Sequence, residues 1–377
     1  MALKETLSAN AVAWIDGRPA SLDMAAAQAA RLLLQSSQPL IAGLGSDIDG
    51  ARAAIALAER LGGVIDHTHS GALLRDLDCF REGGVMMTTP NEARVRADVV
   101  LLVGSGLTDS WPIIGERLLK SPAQRDGADI PRRVIWLAES GAASMPGFGG
   151  DIEVIAAGAG AKLAANIAAL RARIKARGIA LDGAAASPWD ALARQLKAAQ
   201  FGVAVWSSRN LDALTIEMLN GIVRDLNETT RFSTLPLAPP ENGAGVLAAC
   251  GWMTGFPMRT GFGAGAPAHD PWRYDAQRLA LSGESDCALW ISAFGASPPA
   301  WQSRVNFIAL SDEATRFAQT PRVHIRVGRP GVDHSGVLHS AETGALVALT
   351  ASQAGEIPSV AQALSRIAAH LDGLGAV

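Results

Sequence analysis

The sequence predicts an α/β protein built from two related, open and mainly parallel Rossmann-like domains. Short runs of β-branched and other apolar residues recur along the chain, typically followed by a glycine turn and then an amphipathic helix. These runs lack the alternation of apolar and polar residues that a half-exposed strand shows, so we expect strands buried on both faces. The pattern of the first half returns in the second half, which favours two similar domains over one long sheet.

The elements follow from these patterns in chain order. The expected strands lie at residues 39–45, 64–65, 98–104, 133–138, 151–156, 201–206, 286–292, 304–310 and 321–327. The expected helices lie at residues 21–35, 49–61, 72–80, 212–226 and 358–371. The runs at 98–103 and 286–291 have similar patterns, and we expect them to be the inner strands of the two sheets.

A composition change places the domain boundary near the middle of the chain. Residues 172–187 contain a predicted helix end and then a run of glycine and alanine, which indicates a linker. We therefore predict four segments, namely an N-terminal arm and helix at 1–35, a first α/β domain at 36–178, a second at 187–330, and a C-terminal segment with a closing helix at 331–377.

Charge and cysteine content argue against several classes of function. The formal net charge is −3 and 18% of residues are charged, so we expect no basic surface for nucleic acid or an anionic membrane. No apolar run approaches the ~20 residues of a membrane-spanning helix, and we expect no targeting segment. The three cysteines are far apart and form no CxxC pair, which fits a protein of the reducing cytoplasm.

Few residues have a spacing that indicates chemistry. Gly43 and Gly45 lie between a strand and a helix, where a phosphate could meet backbone N–H groups, although a turn without a ligand has the same pattern. His67 and His69 form a His-x-His pair at a strand end, which is typical either of zinc ligands or of polar loop residues. Cys79 lies in a predicted helix and is expected to be an inert, buried thiol. We assign no catalytic residue and no metal ligand.

The most unusual stretch is residues 241–257, which mixes glycines with bulky apolar side chains. Asn242 and, just beyond the stretch, Arg259 are its polar elements, and the pattern predicts a closely packed helix buried between the domains.

Residues 94–105, 133–137 and 241–262 together resemble the B subunits of formylmethanofuran dehydrogenases, members of the molybdopterin oxidoreductase superfamily. The resemblance extends over about residues 12–330 and implies a fold of that type.

Two departures from this family concern metal chemistry. Catalytic members carry an N-terminal group of cysteines for a [4Fe–4S] cluster, whereas this chain has no cysteine before Cys79. They also present a cysteine or selenocysteine to tungsten or molybdenum in the loop after the second strand, where this chain reads Asp-His-Thr-His-Ser-Gly at 66–71. The resemblance therefore implies a molybdopterin oxidoreductase-like fold without the iron–sulfur domain.

This combination looks like the B subunits of bacterial formyltransferase/hydrolase complexes, which act in tetrahydromethanopterin-linked formaldehyde oxidation. The resemblance implies a non-catalytic scaffold whose partners are an amidohydrolase-like hydrolase, a formyltransferase and a C-type subunit. Zinc and a methanofuran-type carrier are then expected in the partners, and no cofactor in this chain. The candidates for a vestigial cofactor cleft are Gly43, Gly45, His67, His69, Asn242 and Arg259.

Two other functions remain as alternatives. One is an active tungsten- or molybdenum-pterin formylmethanofuran dehydrogenase subunit, which metal analysis distinguishes from a scaffold. The other is a stand-alone metallohydrolase or nucleotide-binding protein that uses the histidine pair or the first glycine turn, which activity of the isolated chain would reveal.

Overall fold

A computed structural model of the chain describes residues 11–138, 153–156, 163–177, 188–353 and 355–374. Its strands are β1 (Ala13–Ile15), β2 (Arg18–Ala20), β3 (Leu40–Gly45), β4 (Val64–His67), β5 (Val99–Val103), β6 (Ala123–Arg125), β7 (Ala128–Ile130), β8 (Arg133–Ala138), β9 (Glu153–Ala156), β10 (Gly202–Ser207), β11 (Phe232–Leu237), β12 (Thr260–Gly261), β13 (Ala268–His269), β14 (Cys287–Ser292), β15 (Asn306–Ser311), β16 (Val323–Arg326), β17 (Gly336–Ser340) and β18 (Ala345–Leu349).

Besides a π-helix at Gly115–Leu119 and a 3₁₀-helix at Ala300–Arg304, the described residues form eleven α-helices. They are α1 (Leu22–Leu34), α2 (Ile48–Leu61), α3 (Ser70–Gly83), α4 (Pro90–Arg96), α5 (Leu107–Ser110), α6 (Leu163–Ile174), α7 (Pro188–Lys197), α8 (Ala213–Leu226), α9 (Gly243–Thr254), α10 (Ala276–Ser282) and α11 (Val360–Leu374). Side chains at their N-termini cap several of them, as where Asp47 and Asp212 each accept a hydrogen bond from a first-turn N–H of α2 and α8.

Two compact units divide the chain, and each contains segments from both halves of the sequence. The first unit comprises Met1–Ser70, Glu241–His339 and Leu346–Val377, and the second comprises Gly71–Pro240 and Ser340–Ala345. The predicted domains at 36–178 and 187–330 are therefore wrong, because β3 and β4 hydrogen-bond to the sheet that contains β14 and not to the sheet that contains β5. The segments predicted at 1–35 and 331–377 are not separate either, since α11 packs on α1 and α2.

The first unit contains a nine-stranded sheet in the order β13-β12-β4-β3-β14-β15-β16-β1-β2. The five strands from β4 to β16 in this order are parallel, and antiparallel pairs extend the sheet at both edges. The β1–β2 hairpin, which the sequence did not predict, attaches to β16 through pairs such as Trp14 with His324. The predicted inner strand at 286–291 is confirmed as β14, between β3 and β15.

The second unit contains a parallel five-stranded sheet in the order β11-β10-β5-β8-β9. Alternate residues of β5 enter two separate cores, with Leu101 and Val103 in one and Val100 and Leu102 in the other. This arrangement confirms the expectation of a strand buried on both faces, with β5 as an inner strand. The predicted linker residues 178–187 lie outside the described part of the chain.

Candidate functional site

The first sheet has a topological switch point between β3 and β14. From β3 the chain continues to β4 on one side, whereas from β14 it continues to β15 and β16 on the other side. The carboxyl ends of the two strands pair at Gly45 and Ser292, after a register shift that follows Trp290. Open α/β sheets usually bind ligands in the crevice that such a reversal opens. The switch point is therefore the place in this unit where a ligand site is expected.

The side chain of Glu241 occupies this crevice. Its Oε2 accepts a hydrogen bond of 2.7 Å from the Ser292 hydroxyl, and the residue is 8% exposed. A Cβ atom at position 45 would overlap the same carboxylate, so the close approach requires Gly45. Burial raises the pKa of Glu241 above its usual value. The chain's own carboxylate thus fills the position where a ligand would lie in a related sheet.

Asn242 fastens the same segment to its surroundings. Its Nδ2 donates to the Ser46 carbonyl at 2.8 Å, and its Oδ1 accepts from the His339 N–H at 2.9 Å. Both Glu241 and Asn242 have positive φ values, 61° and 55°, a backbone conformation that residues other than glycine rarely adopt. The side-chain contacts of the two residues stabilise this unusual turn. Both the nitrogen and the oxygen of the Asn242 side-chain amide are hydrogen-bonded.

His67 ends β4 and is buried beside this turn. Its Nε2 lies 3.1 Å from the Glu241 carbonyl, and its Nδ1 accepts from the His69 N–H at 3.0 Å. Burial lowers the pKa of His67 to about 4, so the ring is neutral and donates through Nε2 while accepting through Nδ1. With the Nδ1 lone pair engaged and Nε2 protonated, the ring has no free lone pair for a metal. Among the residues that the structure describes, no cluster of three or more His, Cys, Asp or Glu is arranged around a potential metal position.

Arg259 bridges two carboxylates at the neighbouring strand end. Its Nε lies 3.6 Å from Oδ1 of the buried Asp66, and it also forms an ion pair with Asp275. Asp66 Oδ2 accepts from the Ala276 N–H at 2.8 Å, the first N–H of α10. Burial raises the pKa of Asp66 to about 6, against the opposing effect of Arg259. The group is a partly desolvated ion-pair network that connects β4 to α10.

A cavity of about 240 Å³ lies next to this network. Its lining includes Gly43, Asp66, His67, Arg259, Trp290 and Trp301. The structure therefore brings the six predicted cleft residues to the carboxyl ends of β3 and β4. Gly43, His67 and Arg259 border the cavity, Gly45 and Asn242 belong to the filled crevice, and His69 is partly exposed with its ring centroid 5.7 Å from that of His67.

The acidic residues of this site were not among the residues selected from the sequence. Glu241 directly precedes Asn242 at the start of the glycine-rich stretch, and Asp66 directly precedes His67, so both adjoin residues that were selected. Ser292 and Asp275 had no local signal, because a serine at a strand end and an aspartate before a helix are common structural features. Their roles arise from contacts between residues that are distant in sequence.

The second sheet has its own switch point between β5 and β10. Small polar side chains follow these strands, and the hydroxyls of Ser110 and Ser207 lie 3.1 Å apart. The Ser208 hydroxyl donates to Asp76, and burial raises the pKa of Asp76 to about 6. These groups hydrogen-bond to one another within the second unit.

No helix in the described part of the chain is long and apolar enough to cross a membrane.

Comparisons with known proteins agree with the sequence resemblance. No protein-family model matches the chain. Among curated proteins, the chain is 24% identical over 350 residues to the B subunit of the tungsten-containing formylmethanofuran dehydrogenase 2 of Methanocaldococcus jannaschii, covering 86% of this chain and 77% of that protein. The corresponding protein of Methanococcus maripaludis is 25% identical over 291 residues, covering 74% of this chain and 65% of the other.

A bacterial relative is more similar. One chain matches this one in the X-ray crystal structure of the formyltransferase/hydrolase complex (FhcABCD) from Methylorubrum extorquens in complex with methylofuran. The TM-score is 0.85 and the sequence identity is 36%, and the match covers 97% of this chain and all of that chain. The B subunit of the formyltransferase/hydrolase complex Fhc of the same organism is 36% identical over 351 residues, covering 92% of this chain and 93% of the relative. This identity over nearly the full length of both proteins shows that the chain belongs to the family of the B subunits of formyltransferase/hydrolase complexes.

Proposed function

We propose that this chain is a non-catalytic scaffold subunit of a cytoplasmic formyltransferase/hydrolase complex in methanofuran- and tetrahydromethanopterin-linked one-carbon metabolism. One observation carries the proposal. The crevice at the switch point between β3 and β14 is filled by Glu241, which is held there by Ser292 and by the absence of a side chain at Gly45. The ligand position of a related α/β sheet is therefore used by the chain itself.

The residues do not fit a tungsten- or molybdenum-pterin centre. The loop after β4, where the dehydrogenases present a sulfur ligand, begins here with Asp66 and His67. Asp66 pairs with Arg259, and both ring nitrogens of His67 are engaged. The three cysteines are buried at other positions, and burial raises the pKa of each thiol to about 11 or 12. A soft metal would find no thiolate in this loop, and the His67 ring has no free nitrogen to offer it.

A scaffold contributes to the reaction through geometry. We propose that an amidohydrolase-like subunit with zinc and a formyltransferase subunit carry out the chemistry, with a C-type subunit completing the assembly. A carrier tethered between two active sites visits both at a high effective concentration when their separation is constant. A chain with two folded α/β units can supply that constant separation without binding the carrier's reactive group.

Co-expression tests the proposal directly. The chain is produced with its hydrolase, formyltransferase and C-type partners and purified through a tag on one partner. We expect it to elute with them on size exclusion and to contain less than about a tenth of a tungsten, molybdenum or iron atom per chain by elemental analysis. About one tungsten or molybdenum per chain would instead identify an active dehydrogenase subunit. A monomer that the partners neither bind nor need for formyl transfer would also contradict the proposal.

A further inference from the structure

In the part of the chain that the structure describes, the exposed aromatic side chains are concentrated in one short segment. Within the described residues, the exposed large aromatics are Trp252, Phe256 and Trp272, which are 65%, 40% and 72% exposed. Met253, which is 41% exposed, lies beside the first of them. All four fall between residues 252 and 272, which we name the aromatic segment. Tryptophan is rarely left this exposed unless another molecule covers it.

The aromatic segment is held together by short-range contacts. Thr254 Oγ1 accepts from the Phe256 N–H at 3.0 Å, which ties Phe256 to the end of α9. The Phe256 ring stacks on His269 with ring centroids 6.2 Å apart. At the other end, the Arg278 guanidinium lies 4.5 Å from the centroid of the Trp272 ring. The exposed side chains thus project from the last turn of α9 and from a well-bonded loop after it, which limits the conformational entropy lost on binding.

The helix that leads into this segment is apolar on all sides. Residues 243–258 include no charged side chain, although 18% of the whole chain is charged. One side of α9 buries Val246, Ala249 and Cys250, and α9 packs against α2. A helix that is apolar all round is normally covered on every side. The C-terminal turn of α9, with Trp252 and Met253 exposed, is the part that this chain leaves uncovered.

The exposed area of these four side chains is comparable to that of the apolar centre of a protein–protein interface. With the stated exposures, the four side chains present roughly 400–500 Å² of mainly apolar area. A stable interface buries about 800 Å² per partner, with aromatic side chains at its centre and polar residues at its rim. Exposed Arg273, whose guanidinium lies over the Tyr274 ring at 5.4 Å, provides a cationic rim beside Trp272.

We propose that the aromatic segment is the docking surface for another subunit of the formyltransferase/hydrolase complex. The partner surface carries an apolar pocket for the tryptophan rings and a carboxylate opposite Arg273. A membrane is a poorer occupant, because binding to anionic lipid needs free cationic side chains. Residues 252–272 contain no lysine, and their one arginine, Arg259, is paired with Asp66 and Asp275. The proposal rests on the proposed function and names the surface through which the scaffold assembles.

The test compares two matched double variants of the full chain. In the first, Trp252→Glu and Trp272→Glu place charges at both ends of the aromatic segment. In the control, Met24→Glu and Leu214→Glu place the same charges at positions that are 61% and 62% exposed elsewhere. Each chain is titrated against the tagged hydrolase, formyltransferase and C-type subunits. We expect W252E/W272E to weaken binding on the order of 30-fold or more, and the control to change it less than about threefold.

The outcomes separate this inference from the proposed function. If the wild-type chain binds none of the partners, the proposed function fails. If the wild type binds and W252E/W272E, with a wild-type circular dichroism spectrum and melting temperature, binds equally well, the docking surface is wrong while the proposed function stands. The inference is also overturned if W252E/W272E loses only self-association, or only binding to anionic lipid vesicles, and still binds the partner subunits.

Discussion

Replacing Arg259 by methionine should destabilise the first unit strongly at neutral pH. Arg259 is the cation that faces the buried carboxylate of Asp66, and the two side chains are 20% and 6% exposed. Removal of one partner leaves a buried charge without compensation, which typically costs about 3–5 kcal/mol. Methionine keeps much of the apolar length of the arginine side chain, so the lost charge and its hydrogen bonds should dominate the change.

The loss should decrease in acid, because Asp66 then becomes neutral. Burial raises the folded-state pKa of Asp66 to about 6 from 3.8, so the folded chain binds the proton more tightly than the unfolded chain between these values. This carboxyl group therefore adds to the unfolding free energy as the pH falls from 6 towards 3.8 and penalises folding above pH 6. Without Arg259 the pKa lies higher still. The difference between wild type and R259M should thus be largest near neutral pH and shrink below about pH 5.

Urea unfolding followed by circular dichroism at about pH 7.5 and about pH 5 measures this difference. Asp66→Asn provides the matched rescue, because it removes the buried charge while its side-chain oxygen can still accept from the Ala276 N–H. The double variant D66N/R259M should be less destabilised than R259M, which a double-mutant cycle quantifies. A loss below about 1 kcal/mol at pH 7.5, an equal loss at pH 5, or no rescue by D66N would refute the ion-pair reasoning.

Three further results are expected. Changing both His67 and His69 to alanine should leave formyl transfer by the assembled complex within a few-fold of wild type, whereas a drop of about a thousandfold in an intact complex would indicate a zinc role. Gly45→Ala should lower the unfolding free energy by about 1–3 kcal/mol, because a Cβ atom there overlaps the Glu241 carboxylate, and Glu241→Ala should recover part of that loss in thermal melts. The three buried thiols, with pKa values raised to about 11 or 12, should react with a disulfide reagent only after unfolding, and rapid reaction of the native chain would show that they are accessible.

Local patterns in the sequence were enough to predict nine of the 18 described strands and about half of the helices, whereas β11 and the short edge and hairpin strands were missed. The strand predicted at 133–138 has the same bounds as β8, and the helix predicted at 49–61 is α2 with one additional residue at its start. Burial on both faces leaves a continuous apolar run, and capping residues mark helix starts, so both signals are contained in a few neighbouring residues. The β1–β2 hairpin was missed because each strand has only three residues, too few to show a period. The hairpin joins the sheet through the pairing of β1 with β16, which is distant in sequence.

The grouping of strands into units was decided by the tertiary structure. An apolar run predicts a buried strand but does not specify its neighbour, and β3 pairs with β14 across about 250 residues of sequence. The candidate site has the same origin. Sequence alone selected Gly45 for its place after a strand, but the reason for a glycine there is the Glu241 carboxylate, which arrives from nearly 200 residues away. Residue types and short-range periodicity were sufficient to locate many strands and helices and to show that the sulfur ligands are missing. Long-range packing decided that the crevice is filled, because only the folded chain brings the two strand ends and the glutamate together.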